Sequence, residues 1–176
     1  MQMSDSRDGN VRWFTPDESR AWRTFVAAHG RLLGHIDAAL VADTSVSLAE
    51  YEVLGRLSES PDWRMRMNEL ADGCGLSPSG LTRRFDSMVR NGLVDRARCD
   101  ADRRGVFAVL LPKGHELLVQ ATPTHVANVR RFFLDVLGQD ELTTIVAALQ
   151  RVGVESADGS AIGSANTGRV AAVAQR

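Results

Sequence analysis

A change of period inside one short stretch limits this chain more than any other feature. In residues 76–111, LSPSGLTRRFDSMVRNGLVDRARCDADRRGVFAVLL, Leu81, Phe85, Met88 and Val89 recur at helical spacing and form one apolar stripe. Ser77-Pro78 is a helix start, because the Ser hydroxyl can accept an orphan backbone N–H and Pro is pre-set for the first helical position. Asn91-Gly92 is the stop. The opposite side carries Ser79, Thr82, Arg83, Asp86 and Arg90, so the helix has an apolar back and a front of hydroxyls and guanidiniums. Beyond Gly92 the spacing becomes that of strands, 93–98 and 105–111, joined by the charged turn Cys99–Arg104. The stretch predicts a helix followed by an antiparallel hairpin with arginines at its tip.

That shape suits duplex DNA. A helix is narrow enough for the major groove, where Arg, Ser and Thr on its first turns can reach base edges. A hairpin beside it can set an Arg into the minor groove, whose negative potential is strongest over A·T-rich sequence. Here the chain resembles the MarR family of bacterial transcription regulators. The family's wing signature is Asp-x-Arg, five residues, Leu-Thr, two residues, Gly. It stands here as Asp102-Arg103-Arg104, five residues, Leu110-Leu111, then Pro112-Lys113-Gly114. Leu111 replaces the usual Thr, so a hydroxyl that would help start the next helix is missing. The resemblance spans roughly residues 15–152. It implies a mainly α winged helix-turn-helix fold with a small antiparallel β-wing, dimerising through N- and C-terminal helices.

The flanking sequence agrees with that plan. Thr15-Pro16-Asp17-Glu18 and Ser47-Leu48-Ala49-Glu50 are capping boxes that open two helices. The first is expected over 16–41, with Trp22, Phe25, Val26, Leu32, Leu33, Ile36 and Leu40 in a stripe too wide for one contact, which asks for another subunit. Trp63–Met67 reads as a short strand that can join the hairpin as a third member. Asn68–Cys74 reads as a short helix, making 68–91 a helix-turn-helix with its second member as reader. A long helix over 112–137 is expected to kink at Pro123, and a last helix to end near Val152. The lobe 47–111 would bind DNA, and 16–41 with 112–152 would dimerise. Residues 1–14 read as flexible, with Trp13 and Phe14 apolar enough to tuck against the body. The Gly/Ser/Ala-rich residues 153–176 read as a disordered tail.

The totals exclude several classes. At 176 residues, 44% hydrophobic and 24% charged, the chain is of single-domain size and composition. No apolar run approaches the ~18 residues of a membrane span, and the first residues lack a signal-peptide layout. A cytoplasmic setting is the expectation, without a membrane partner. The net charge of −1 hides an uneven distribution. Residues 64–104 hold nine Arg against six acids, whereas the remainder holds twelve basic and sixteen acidic residues. An arginine-rich solvated face gives the same count, since Arg outnumbers Lys 20 to 1 throughout. There is no GxSxG, P-loop, GxGxxG or HExxH, and His29, His35, His115 and His125 are scattered without Cys or carboxylate partners at ligand spacing. Neither an enzyme, nor a metal, nor a cofactor is expected.

The candidate DNA-binding residues are Ser77, Ser79, Thr82, Arg83, Arg84, Asp102, Arg103 and Arg104. By the resemblance, Asp102 orients Arg104 for minor-groove entry; a plain ion pair at a hairpin tip is the competing account. Arg103 is a phosphate contact or a solvated charge. Ser77 serves chiefly as the helix cap. Arg83 can go bidentate to a guanine, worth ~1–3 kcal/mol of discrimination, and Arg84 is assigned to a phosphate. Arg64 and Arg66 can also reach the DNA backbone. The resemblance further implies a cleft for a small phenolic or carboxylate-bearing effector. Trp22, Phe25, His29, Tyr51 and Met65 are its candidate lining, although each taken singly also reads as a core residue. The reading is then a homodimeric repressor on a pseudo-palindromic operator, released by a small aromatic or acidic molecule. Two alternatives stay open. Cys99, flanked by Arg96 and Arg98, is a candidate redox thiol, and a winged helix can pair with a protein in place of DNA.

Overall fold

A computed structural model describes residues 11–99 and 102–155, with the backbone alone for 98, 99, 102–105 and 153–155. The expected flexible residues 1–10 and the tail from 156 onward lie outside the described residues. Six helices and a three-stranded sheet follow in the order α1 (Pro16–Thr44), α2 (Leu48–Glu59), β1 (Arg64–Arg66), α3 (Met67–Gly73), α4 (Pro78–Arg90), β2 (Val94–Cys99), β3 (Asp102–Leu110), α5 (Pro112–Val129) and α6 (Gln139–Glu155). The mainly helical, winged helix-turn-helix architecture is the expected one.

Both capping boxes form. Thr15 Oγ1 accepts the Glu18 N–H while Glu18 accepts the Thr15 N–H, and Ser47 and Glu50 repeat the exchange. α1 runs three residues beyond the expected end. Thr44 Oγ1 donates to Leu40 O, and Ser45, in the left-handed region at φ 59°, closes the last turn on Val41 O. The sheet is antiparallel, ordered β1-β3-β2, so the short strand before α3 does join the hairpin. Arg66 lies opposite Phe107, and Ala97 lies opposite Phe107 on the other side. The turn ahead of β1 holds two consecutive left-handed residues, Asp62 and Trp63, a conformation costing ~1–3 kcal/mol each. The Trp63 indole stacks on His115 of α5 at 4.5 Å, which helps to hold that turn.

The core lies within α2, α3, α4 and the sheet, closed by the C-terminal part of α1 and by α5. Tyr51, Leu54, Leu57, Leu70, Leu81, Phe85, Met88 and Leu118 are fully buried there. α5 follows from a tight joint. Leu93 O accepts the Leu111 N–H at 3.0 Å, and a Cβ on Gly114 would stand 2.1 Å from that same oxygen. The glycine that closes the wing signature is therefore needed because the hairpin's root lies against bare backbone. Leu111, as expected for a residue without a hydroxyl, caps α5 with no side-chain hydrogen bond.

Three expectations need correction. α5 continues past Pro123 but ends at Val129, eight residues early, where Arg130–Leu134 winds into a π-turn closed by Asp135 N–H on Arg130 O. The last helix extends to Glu155, not Val152. Trp13 and Phe14 do not tuck against the body. They are 80% and 67% exposed, because they lead into the free end of α1, where residues 21–31 are all exposed.

Candidate nucleic-acid interface

The expected reader helix, α4, is built as its pattern requires. Ser77 Oγ accepts the Gly80 N–H at 3.1 Å and Pro78 opens the first turn. At the other end Gly92, at φ +69°, donates to Val89 O and Leu93 donates to Met88 O, satisfying carbonyls the helix leaves open. Leu81, Phe85 and Met88 are driven into the core, which fixes the rotation of the helix and leaves Ser79, Thr82 and Arg83 exposed.

The front has specific chemistry. Thr82 Oγ1 donates to Pro78 O at 2.8 Å, so what it offers outward is a methyl group and a hydroxyl lone pair. Ser79 Oγ lies 3.3 Å from Ser77 Oγ. Arg83 is exposed, and its planar fork of donors matches the two acceptors of a guanine edge. Beside it, Arg96 of β2 bonds Asp86 at 2.8 Å and lies 5.1 Å over the Phe85 ring, tying the hairpin to the reader helix. Sequence reasoning gave Arg96 no such role. Its signal was Asp86, an acid at the border of the helix front, facing a strand of arginines.

Arg84 is placed differently from its expected reach to a phosphate. It is half-buried, its Nη1 donates to Ser47 Oγ at 3.4 Å at the start of α2, and its Nε is buried without a hydrogen-bond partner among the described residues. The spacing held the clue, since position 84 is three after Leu81 and four before Met88, on the apolar stripe itself. On the hairpin, Asp102, Arg103 and Arg104 open β3, and the register slips between Arg98 and Cys99, with Cys99 opposite Asp102. The side chains of Cys99, Asp102, Arg103 and Arg104 lie outside the described residues. Arg64 and Arg66 share the sheet's outer face and stand 4.4 and 5.2 Å over the Phe107 ring.

The five candidate cleft residues fall into different surroundings. Trp22, Phe25 and His29 make an exposed ladder along α1, with ring centroids 6.2 and 6.1 Å apart. Tyr51 is buried, its hydroxyl 3.3 Å from Thr122 Oγ1 and its ring 4.4 Å from His125. Burial pushes the Tyr51 hydroxyl pKa up and the His125 imidazole pKa down. Met65, on β1, packs at the margin of the core. The remaining thiol, Cys74, is partly buried, and its pKa is pushed up to about 11, chiefly by burial. Among the described residues no group of three metal-ligating side chains is gathered, and no single helix is long and apolar enough to cross a membrane.

Comparison with known proteins agrees with this geometry. A family model described as the MarR family matches residues 44–105, from the end of α1 to the start of β3. The crystal structure of AbsC from Streptomyces coelicolor, a MarR family transcriptional regulator, is 37% identical, with 83% of this chain and 98% of that one covered and a TM-score of 0.77. Sco3205 from the same organism, solved in complex with DNA, is 32% identical over 84% of this chain and 96% of that one, at a TM-score of 0.79. The uncharacterized HTH-type regulator YkoM of Bacillus subtilis is 29% identical over 91 residues, which cover 52% of this chain and 58% of its own length. With two structures more than 30% identical and covered almost end to end, the chain belongs to the MarR family of transcriptional regulators, a family of DNA-binding proteins and not of enzymes.

Proposed function

We propose that residues 15–152 form one winged helix-turn-helix unit that dimerises, grips a pseudo-palindromic operator and represses transcription until a small effector binds. The observation that carries this reading is the exposed front of α4, Ser79, Thr82 and Arg83, beside a hairpin whose β3 opens on Asp102-Arg103-Arg104. In that reading Arg83 reads a base, Asp102 aims Arg104 into the minor groove, and Arg103 neutralises a phosphate. The solved DNA complex of Sco3205 supports it, being a relative of the same fold over nearly its full length.

The dimer reading rests on α1 and α6. Trp22, Val26 and Leu33 on α1, and Val146, Leu149 and Val152 on α6, are exposed apolar side chains, and among the described residues α6 has only marginal contact with the other elements. A helix whose apolar face is left open by the described residues is satisfied by a second copy. Two lobes on such a frame would meet successive major grooves about 34 Å apart. Tyr51, His125 and Thr122 lie where α2 of the lobe meets α5 of the frame, and Trp22, Phe25, His29 and Met65 remain the other candidate contacts for an aromatic or acidic effector. Such a molecule weakens DNA binding only through its differential affinity for the two lobe spacings.

The test is a titration of duplex from the gene's own upstream region at two salt concentrations, with sedimentation of the free chain. The expected result is a dimer whose affinity falls steeply with salt, because each neutralised phosphate releases counterions. A monomer that ignores the duplex in dilute buffer would overturn the reading.

A further inference from the structure

The polar side chains around the start of α2 belong to three different helices. Asp37 of α1 accepts the Leu48 N–H at 2.7 Å, an orphan donor of the first turn of α2. Ser47 Oγ donates to Glu50 Oε2 at 2.6 Å and accepts from Arg84 Nη1 of α4 at 3.4 Å. Glu52 stands one turn further along α2. Burial raises its carboxyl pKa, while the charges of Arg56 and Arg84 pull it back down. Frame helix, connecting helix and reader helix thus meet in one chain of groups, Asp37 to the Leu48 N–H, and its backbone neighbour Ser47 to Arg84.

Arg84 is an expensive residue to place there. A guanidinium stays charged under all ordinary conditions, and a helix N-terminus is the positive end of its dipole. Apolar residues at position 84 would complete the stripe of Leu81, Phe85 and Met88 at no such cost. The apolar contacts of α4 fix which face it buries, but being short-ranged and without direction they resist sliding along α2 less well than a directional bond does. A guanidinium that donates to Ser47 Oγ, with the Glu52 charge near enough to feel it, is directional. We infer that Arg84 is a positioning residue for DNA recognition, a strut that transmits the orientation of frame helix α1, through Asp37 and the start of α2, to the reader helix, without touching DNA itself. The inference rests on the proposal that α4 is the reader.

The experiment compares the intact chain with Arg84→Met and Arg84→Lys on the footprinted upstream duplex, and on versions with one base pair inserted or deleted between the half-sites. Each is titrated at several salt concentrations. A strut predicts that the salt slope stays as in the parent while discrimination between correct and altered spacing falls roughly tenfold. Lysine keeps the charge but lacks the Nη1 that reaches Ser47 Oγ, so Arg84→Lys should lose most of the discrimination too. Ser47→Thr, which keeps a hydroxyl at the cap, should retain it. A slope that drops by about one in Arg84→Met and returns in Arg84→Lys, with spacing preference intact, would make Arg84 a phosphate contact and overturn the inference. Unchanged slope and unchanged discrimination in both variants would overturn it as well. Should Arg84→Met fail to fold, Arg84→Lys decides by its spacing preference alone. A parent chain that binds none of the duplexes sinks the DNA-binding reading itself, a result distinct from either of these.

Discussion

The lobe around α4 and the frame made by α1 and α6 use apolar residues in opposite ways. In the lobe nearly every large apolar side chain is consumed by its own chain, with Leu54, Leu70, Phe85 and Met88 completely covered. In the frame, α1 is 29 residues long yet buries only Ile36 and Leu40, and the described side chains of α6 include none that is buried. The lobe is covered by its own chain, whereas the frame leaves apolar faces open among the described residues. A stability defect in the lobe should therefore appear in the isolated subunit, and a defect in the frame should appear in assembly.

The largest effect expected from this contrast is at Phe85. Phe85→Ala removes a fully buried ring from the core and should cost about 3–5 kcal/mol, read as a fall in the midpoint of thermal or urea unfolding. A loss under ~1 kcal/mol would mean that the lobe is less tightly packed than it looks. Next comes the frame. Val146→Glu with Leu149→Glu should convert the dimer to monomer in sedimentation while the far-ultraviolet helix signal remains, since both side chains are about half exposed within the subunit. If dimerisation survives, α6 covers itself in some other way and the contrast fails.

A smaller effect is expected at Arg83. Arg83→Ala should weaken binding to the upstream duplex by about 1–3 kcal/mol and relax discrimination at one base position, with the melting temperature unchanged. The smallest concerns pH at the junction of lobe and frame. Burial favours the neutral His125 imidazole, so as the pH drops below 6.5 the unfolded chain takes up its proton first. Stability should be complete above that pH and should decline below it until the folded imidazole also protonates. His125→Phe keeps a ring against Tyr51, and its stability should lack this part of the acid decline. Identical pH profiles for the two chains would remove His125 as a titrating element.

The same contrast explains what could be read from the amino-acid order. Helix starts at Thr15-Pro16, Ser47 and Ser77-Pro78, the stop at Asn91-Gly92 and the period change after it are local signals, and the structure follows each of them. The third strand, Arg64–Arg66, was also visible as an alternation of arginine and methionine. Tertiary facts were harder. Arg84 reads as one more surface cation until its place on the stripe of Leu81 and Met88 is weighed against charge. The need for Gly114 comes from the Leu93 carbonyl, twenty-one residues away. Pro123 was expected inside a helix running to 137 and does lie inside α5, with Thr122 Oγ1 donating to Leu118 O beside it, but the winding into a π-turn after Val129 has no local mark. The exposure of Trp13 and Phe14 depends on how the other described elements are placed around the start of α1, which no local pattern encodes.

The joint between Leu93, Leu111 and Gly114 has a mechanical result. Because the base of the hairpin is welded by one carbonyl to the first turn of α5, the flap has no hinge at its foot. Any turn of α5 is thereby passed to the stem of β2 and β3, and the two shift as one piece.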